Sequence, residues 1–137
     1  MKLSARNQLK GQIVSIERGA VNAIVTLDVC GTKMTSTISL HAVDDLELTE
    51  GCEAYAVVKA TDVMIGLGDL RLSARNQLKG KITAIEIGAV NAIVAMEVVG
   101  GNKVTATISI AAVKDLGLEV GKEAIAVVKA TSVMIGR

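Results

Sequence analysis

The stretch "AVNAIVTLDV" (Ala20–Val29) carries the clearest β-strand pattern of this sequence. Apolar residues recur in it at every second position, and most of the residues between them are polar. A period of two is typical of a β-strand with one buried face, because successive side chains of a strand point to opposite sides of the sheet. The residues predicted to face the core are Val21, Ala23, Val25, Leu27 and Val29.

The segments around this strand predict four more strands and one helix. "GQIVSIE" before it and "MTSTIS" after it read as strands, separated from it by the turns "RGA" and "CGTK". "SLHAVDDLEL" breaks the alternation: Ser39 is placed to cap a short helix, whose apolar face is formed by Leu40, Val43, Leu46 and Leu48. "EAYAVVKA" returns to strand, and "VMIG" is predicted to end its own module as a short fifth strand.

The whole pattern occurs twice. "LSARNQLKG" stands at Leu3–Gly11 and again, unchanged, at Leu72–Gly80, and the similarity continues through "AVVKATDVMIG" and "AVVKATSVMIG". We therefore predict a first module at 1–66, a linker at 67–71 and a second module at 72–137. The order β-β-β-α-β-β in about 65 residues is that of a five-stranded Greek-key barrel of the OB-fold type. The predicted fold class is all-β with a short helix, as tandem OB-fold barrels, with spare apolar surface available for an oligomer interface.

Composition narrows the function classes. Net charge is +1, and Tyr55 is the only aromatic residue. We therefore expect no nucleic-acid partner, because single strands are usually bound by a basic groove with stacking aromatic rings. Uncharged runs are shorter than the ~18 residues of a membrane helix, and the first residues do not resemble a signal peptide, so we expect no membrane association and a cytoplasmic location. The two cysteines lack ligand spacing, so we predict no cation-binding metal site; Cys30 is expected to fill a strand position.

Catalytic motifs are absent from both modules. No Ser-His-Asp set, phosphate-binding glycine loop or His/Cys/carboxylate cluster is visible. The single histidine, His41, is replaced by Ala111 in the second module and is expected to lie at an exposed helix start. The prediction is a protein that is not an enzyme and has no cofactor.

A set of hydrogen-bond donors without an acid recurs in both modules. Arginine binds two oxygens at once, lysine adds charge, and serine and threonine hydroxyls donate to further oxygens. Such donors suit a small, fully ionised tetrahedral oxyanion such as sulfate, molybdate or tungstate. The open alternative is that Arg6 and Lys59 pair with surface acids and that the serines cap turns. The donors are Ser4, Arg6, Asn7, Gln8, Ser39, Lys59 and Thr61, and then Ser73, Arg75, Asn76, Gln77, Ser109, Lys129 and Thr131.

A second repeated segment, "GAVNA", is a weaker candidate. Its exposed N–H groups could hold an anion if several chains converged there, although a plain hairpin turn is the simpler interpretation. The residues in question are Gly19, Ala20, Val21 and Asn22, and Gly88, Ala89, Val90 and Asn91.

Taken together, "LSARNQLKG", "GAVNA" and "VVKATSVMIG" in a module of this size resemble the Mop or molbindin family, whose members bind molybdate and tungstate. The resemblance covers nearly the whole chain and is that of a two-module molbindin. It implies an oxyanion site formed by the Ser, Arg, helix-start hydroxyl and lysine named above, with Ala60, Thr61, Ala130 and Thr131 completing it.

The resemblance also implies that six modules assemble into one particle, which for this chain means a homotrimer. Its sites lie between modules, so we expect "KAT" to reach the serine and arginine from a neighbouring module, and further sites to lie near a three-fold axis at the "GAVNA" turns. The expected role is storage and homeostasis of molybdenum. The alternatives left open are a regulatory or assembly module whose bound anion signals to a protein partner, and an OB-fold nucleic-acid binder.

Overall fold

The computed structural model describes residues 1–137 and has the predicted order of elements in each half. The chain also contains three short 3₁₀ turns, at Ala60–Asp62, Val99–Gly101 and Ala130–Ser132. The elements of the first half are β1 (Asn7–Arg18), β2 (Asn22–Val29), β3 (Thr32–Ser39), α1 (Leu40–Asp45), β4 (Glu53–Val58) and β5 (Met64–Gly66). Those of the second half are β6 (Asn76–Ile87), β7 (Asn91–Glu97), β8 (Lys103–Ser109), α2 (Ile110–Asp115), β9 (Glu123–Val128) and β10 (Met134–Gly136).

Two antiparallel five-stranded sheets form, and each takes its last strand from the other half of the chain. The strand orders are β10-β4-β1-β2-β3 and β5-β9-β6-β7-β8. Met134 pairs with Val57, and Met64 pairs with Val127. The prediction of an all-β fold with a short helix in each OB-type unit is confirmed. The expectation that "VMIG" completes its own module is wrong: the two segments are identical, so either fits either sheet, and the 3₁₀ turn before each carries it across.

Strand β1 bends between two partners. Its first half pairs with β4, and its second half pairs with β2 through a register shift between Ile13 and Ser15. Gly11 lies at the change of partner, where a Cβ atom would stand 2.6 Å from the carbonyl oxygen of Asp28. Gly80 is crowded in the same way by the carbonyl of Glu97. The glycine that ends "LSARNQLKG" is therefore required by the close crossing of two backbones.

In the stretch Ala20–Val29, the predicted alternation holds from Ala23 onward. Ala23, Val25, Leu27 and Val29 are buried, whereas Val21 is 73% exposed because it lies in the turn before β2. Cys30 does not fill a strand position. It forms the β2–β3 turn with Gly31, and both have positive φ, as tight hairpin turns require.

One apolar cluster runs through both halves of the chain. It includes Leu9, Ile13 and Val25 from the first half, and Leu78, Ile82 and Val94 from the second. The two residues that lead into the exchanged strands, Val63 and Val133, are also buried in it. The folded units therefore cross the boundaries of the sequence repeat, and the limits 1–66, 67–71 and 72–137 stay a prediction about the repeat itself.

Both helices begin as the sequence predicts. The Oγ atoms of Ser39 and Ser109 each accept a hydrogen bond of 3.0 Å, from the N–H groups of Ala42 and Ala112. Val43 and Leu48 are buried, and Leu40 and Leu46 pack against the core. The side chain of His41 is 89% exposed, as expected for a residue at the helix start.

Candidate functional site

The segments "SAR" and "KAT" of one module meet because of how β1 pairs with β4. Asn7 is the register partner of Val58, so Arg6, just before β1, and Lys59, just after β4, lie at the same end of the sheet. The 3₁₀ turn Ala60–Asp62 then bends the chain beside them. Two segments that are far apart in sequence thus become neighbours through a strand pairing.

These segments line a cavity of about 510 Å³, which we call pocket one. Its third wall is β10, which comes from the other half of the chain. The expectation that "KAT" reaches the "SAR" segment from a neighbouring module is not met within the chain, since both belong to the same module and the other half contributes β10 instead. The residues lining pocket one are Leu3, Ser4, Ala5, Arg6, Val57, Lys59, Ala60, Thr61, Met134, Ile135 and Gly136.

The second module repeats this arrangement in pocket two. Here the opposite half of the chain contributes Met64, the first residue of β5. The exchange of the last strands therefore gives each pocket residues from both halves. The residues lining pocket two are Met64, Leu72, Ser73, Ala74, Arg75, Lys129, Ala130 and Thr131.

The cations of both pockets are free of carboxylate partners. The ion pairs in the structure are Lys10 with Glu53, Arg18 with Asp44, and His41 with Asp45. Arg6, Lys59, Arg75 and Lys129 take part in none of them, and no Asp or Glu lines either pocket. The alternative in which these cations pair with surface acids is thus not what the structure contains. Each pocket presents two positive charges and hydroxyl donors to solvent, an arrangement suited to an anion that carries no proton.

Ser39 and Ser109 lie away from these pockets within the chain. Ser39 is the register partner of Asn22, and the N–H of Leu40 donates to the carbonyl of Val21, at 3.0 Å. Ser39 therefore lies beside the "GAVNA" turn, and its equivalent Ser109 is the register partner of Asn91. The structure thus divides the predicted set into "SAR" with "KAT" at one location and the helix-start serine at another.

The "GAVNA" segments form tight hairpin turns. The N–H of Gly19 donates to the carbonyl of Asn22, and Gly88 bonds to Asn91 in the same way, each at 2.8 Å. A shallow cavity at the first turn is lined by Gly19, Ala20, Val21 and Asn22 together with Arg18, which is paired with Asp44 at 3.1 Å. At the second turn, the residue at the arginine's position is Ile87, whose exposed fraction is 59%. The second oxyanion site predicted at Gly88, Ala89, Val90 and Asn91 and at the first turn stays a prediction.

The asparagine of the "SARN" motif has a role that sequence reasoning missed. Asn7 is 2% exposed and does not face the pocket. Its Nδ2 donates to the carbonyl of Thr105 at 2.9 Å, and its Oδ1 accepts from the N–H of Thr105 at 2.7 Å. Asn76 makes the equivalent two bonds to Thr35, at 2.8 and 2.7 Å. Each amide binds the edge strand of the opposite half, so it links the modules instead of serving as an anion donor.

Comparison with known proteins agrees with this architecture. A family model described as the TOBE domain matches the chain twice, over residues 3–65 and 72–135. The chain belongs to the TOBE domain family. The resemblance to Mop-type proteins noted in the sequence is confirmed by curated relatives. One is a probable molybdenum-pterin-binding protein of Haemophilus influenzae, 63% identical over 67 residues, which span 49% of this chain and 97% of the relative.

Two further relatives of this TOBE-domain chain match it along almost its whole length. The molybdenum transport protein ModE of Herbaspirillum seropedicae is 38% identical over 98% of the chain, and the chain spans about half of ModE, 51%. The solved structure of the cytoplasmic molybdate-binding protein ModG with molybdate bound superposes with a TM-score of 0.96 at 42% identity, covering 99% of each chain. The two α-helices have six residues each, so neither can span a membrane.

Proposed function

We propose that this chain binds molybdate or tungstate in pockets one and two, and that it serves in cytoplasmic storage and homeostasis of molybdenum and not in catalysis. The observation that carries the proposal is the meeting of an unpaired arginine and an unpaired lysine in each pocket, with no carboxylate among the lining residues. The names of the similar proteins, which include molybdate-binding and molybdenum-pterin-binding proteins, support the choice of anion.

Five residues of pocket one have a chemical task in this proposal. Arg6 and Lys59 balance the two charges of the anion, and the arginine forks onto two of its oxygens. Ser4 and Thr61 donate hydroxyl hydrogens to further oxygens. Backbone N–H groups at Ala60 and Thr61 complete the coordination. Ser73, Arg75, Lys129, Ala130 and Thr131 act in the same way in pocket two, and nothing in either set discriminates molybdate from tungstate.

Calorimetric titration with sodium molybdate and with sodium tungstate tests the proposal. We expect saturable binding to the unsubstituted protein and its loss at these pockets when Arg6→Ala and Arg75→Ala are combined. The matched control is Lys33→Ala with Lys103→Ala, which removes two positive charges from equivalent exposed strand positions outside the pockets. Binding that survives the arginine substitutions, or that is lost equally in the control, contradicts the assignment.

The proposal includes a homotrimer of six modules, as the family resemblance implies. Exposed apolar side chains at the rims of both pockets support an interface there: Leu3 and Met134 at pocket one, and Leu72 and Met64 at pocket two. In the proposed trimer, Ser39 or Ser109 of one copy donates to the anion in a pocket of another, as the family resemblance implies. Light scattering should give three times the chain mass of 14.2 kDa; a monomeric mass contradicts the trimer without affecting the pockets.

The regulatory alternative rests on one observation. ModE, a longer protein, matches the present chain over about half of its own length, so tandem modules of this kind also occur within larger chains. A protein partner that co-purifies with this chain only in the presence of molybdate would favour signalling over storage. Equal co-purification with and without molybdate would count against it.

A further inference from the structure

Strand β3 is hydrogen-bonded to both the arginine side and the "KAT" side of pocket two. Asn76, which directly follows the pocket residue Arg75, holds the backbone of Thr35 by two hydrogen bonds. The next residue, Ser36, is fully buried, and its Oγ donates to the carbonyl of Val133 at 2.5 Å. Val133 follows the 3₁₀ turn that carries Ala130 and Thr131 into the pocket. Thr35 and Ser36 therefore connect the arginine side of pocket two to its "KAT" side.

Strand β8 makes only one of these connections for pocket one. Asn7, next to Arg6, holds Thr105 as Asn76 holds Thr35. The residue after Thr105 is Ala106, which is equally buried but has no hydroxyl to donate to the backbone at Val63. The 3₁₀ turn Ala60–Asp62 still packs on β8, but without a side-chain hydrogen bond. The two pockets therefore have the same lining motifs but differ in the hydrogen bonds that join the arginine side to the "KAT" side.

We propose that Ser36 is a positioning residue that makes pocket two the tighter oxyanion site of the chain and pocket one the weaker; this rests on the proposed function of both pockets. Ser36 does not touch the anion. It fixes the turn that presents the backbone N–H groups and Lys129, so less conformational freedom is lost when the anion binds. The protein is then a carrier with two classes of site, which releases part of its load before the rest.

The expected size of the effect follows from one buried hydrogen bond. We expect roughly a 3- to 10-fold change in Kd, which corresponds to about 0.7–1.4 kcal/mol and lies within the range of one hydrogen bond. Pocket one also differs by Asp62, which stands where pocket two has Ser132. Comparing the molybdate affinities of the two pockets therefore does not isolate the effect of Ser36. Substituting the residues at positions 36 and 106 one at a time does isolate it.

The experiment measures sodium molybdate binding by titration in proteins with one working pocket, in the full-length chain. In the Arg6→Ala variant only pocket two can bind molybdate, and in the Arg75→Ala variant only pocket one can. The protein carrying both substitutions measures molybdate binding at any other site. With only pocket two working, Ser36→Ala should weaken binding by about 3- to 10-fold, whereas Ala106→Ser should have no effect. With only pocket one working, Ala106→Ser should strengthen binding by a similar factor, and Ser36→Ala should have no effect.

The outcomes separate this inference from the proposed function. No molybdate binding by the unsubstituted protein overturns both. Binding in which Ser36→Ala weakens the two pockets equally, or changes neither, overturns the positioning role alone. Thermal unfolding of each variant without anion identifies a loss that comes from misfolding. Should Ser36→Ala fail to fold, the gain expected from Ala106→Ser decides the matter, because unfolding cannot tighten a site.

Discussion

At the scale of single residues, the "SARN" motif serves two purposes. Its serine and arginine line a pocket, while its asparagine turns inward to the opposite edge strand. An exposed edge strand presents unpaired N–H and C=O groups, and a side-chain amide can satisfy one of each. Asn7 and Asn76 satisfy the edges of β8 and β3 in this manner and join the two modules at the same point.

The asparagine pairs give a prediction about stability. Asn7→Ala should lower the free energy of unfolding by about 2–3 kcal/mol, because two hydrogen bonds are lost and the N–H and C=O groups of Thr105 lose these partners. Urea unfolding followed by circular dichroism measures this. Gln12→Ala is the control, since Gln12 makes one exposed bond to Gly51 and its loss should cost well under 1 kcal/mol. Equal effects of the two substitutions would contradict the role assigned to Asn7.

Asp62 gives a prediction about pocket one. It is exposed and follows the pocket residue Thr61 in the same 3₁₀ turn, so in the proposed complex its negative charge would lie close to the dianion. With only pocket one working, in an Arg75→Ala background, Asp62→Ser should strengthen molybdate binding by about 2- to 5-fold at low ionic strength. The gain should shrink as salt is added, because an exposed charge is screened. A gain that does not depend on salt would show that the carboxylate acts other than by its charge.

At the scale of elements, the bend of β1 and the exchanged last strands position the pockets. The bend lets one long strand pair with β4 near the pocket and with β2 farther along, so each barrel is built around a single strand.

Helix ends are secured by cations whose sequence positions differ between the modules. Arg137 donates to the carbonyls of Leu46 and Glu47 after α1, whereas Lys122 donates to Leu116 and Gly117 after α2.

The bend gives a prediction about Gly11. Gly11→Ala should destabilise the protein by about 1–3 kcal/mol, because the new methyl group meets the Asp28 carbonyl and overpacking of this kind forces the backbone apart. Chemical unfolding measures the loss. Lys10→Ala, at the neighbouring exposed position, removes a surface ion pair with Glu53 and should cost less than about 1 kcal/mol. If Gly11→Ala leaves the free energy of unfolding unchanged, β1 and β2 can move apart at no cost and the close approach is not required.

At the scale of the whole molecule, the exchanged strands make the two modules interdependent. Residues 1–71 contain β5 but lack β10, so their sheet is missing the strand that pairs with β4. Because Met64–Gly66 and Met134–Gly136 have the same sequence, a second copy of the fragment can supply the missing strand.

The corresponding prediction is that a fragment of residues 1–71 folds only as an oligomer in which copies exchange β5. Native mass spectrometry and light scattering across a dilution series should show dissociation coupled to loss of the β-sheet signal in circular dichroism. The full chain is the control, since its two modules remain joined at any concentration. A fragment that is both monomeric and folded would contradict the requirement for exchange.

Much of the architecture could be predicted from local patterns. Alternation in Ala23–Val29, the cap at Ser39 and the repeated motif each depend on neighbouring residues, and each prediction holds in the structure. The turn position of Cys30 differs from the predicted strand position, because a positive φ is uncommon for a residue other than glycine. The cations of pocket one and their motif neighbours Ser4, Ala60 and Thr61 could be named, whereas the strand from the opposite half that completes the pocket could not.

Local sequence patterns are enough to predict two β-rich modules with short capped helices. They also identify an arginine in "SAR" and a lysine in "KAT", two segments without an acid, in each module. Long-range packing decides three further points. It joined "SAR" to "KAT" of the same module, it placed Ser39 at the "GAVNA" turn, and it exchanged the two "VMIG" strands. Identical segments have identical local preferences, so only long-range packing can select their partner strands. The same packing decides whether a polar side chain faces a pocket or forms a structural hydrogen bond, because it determines which groups lie beside that side chain.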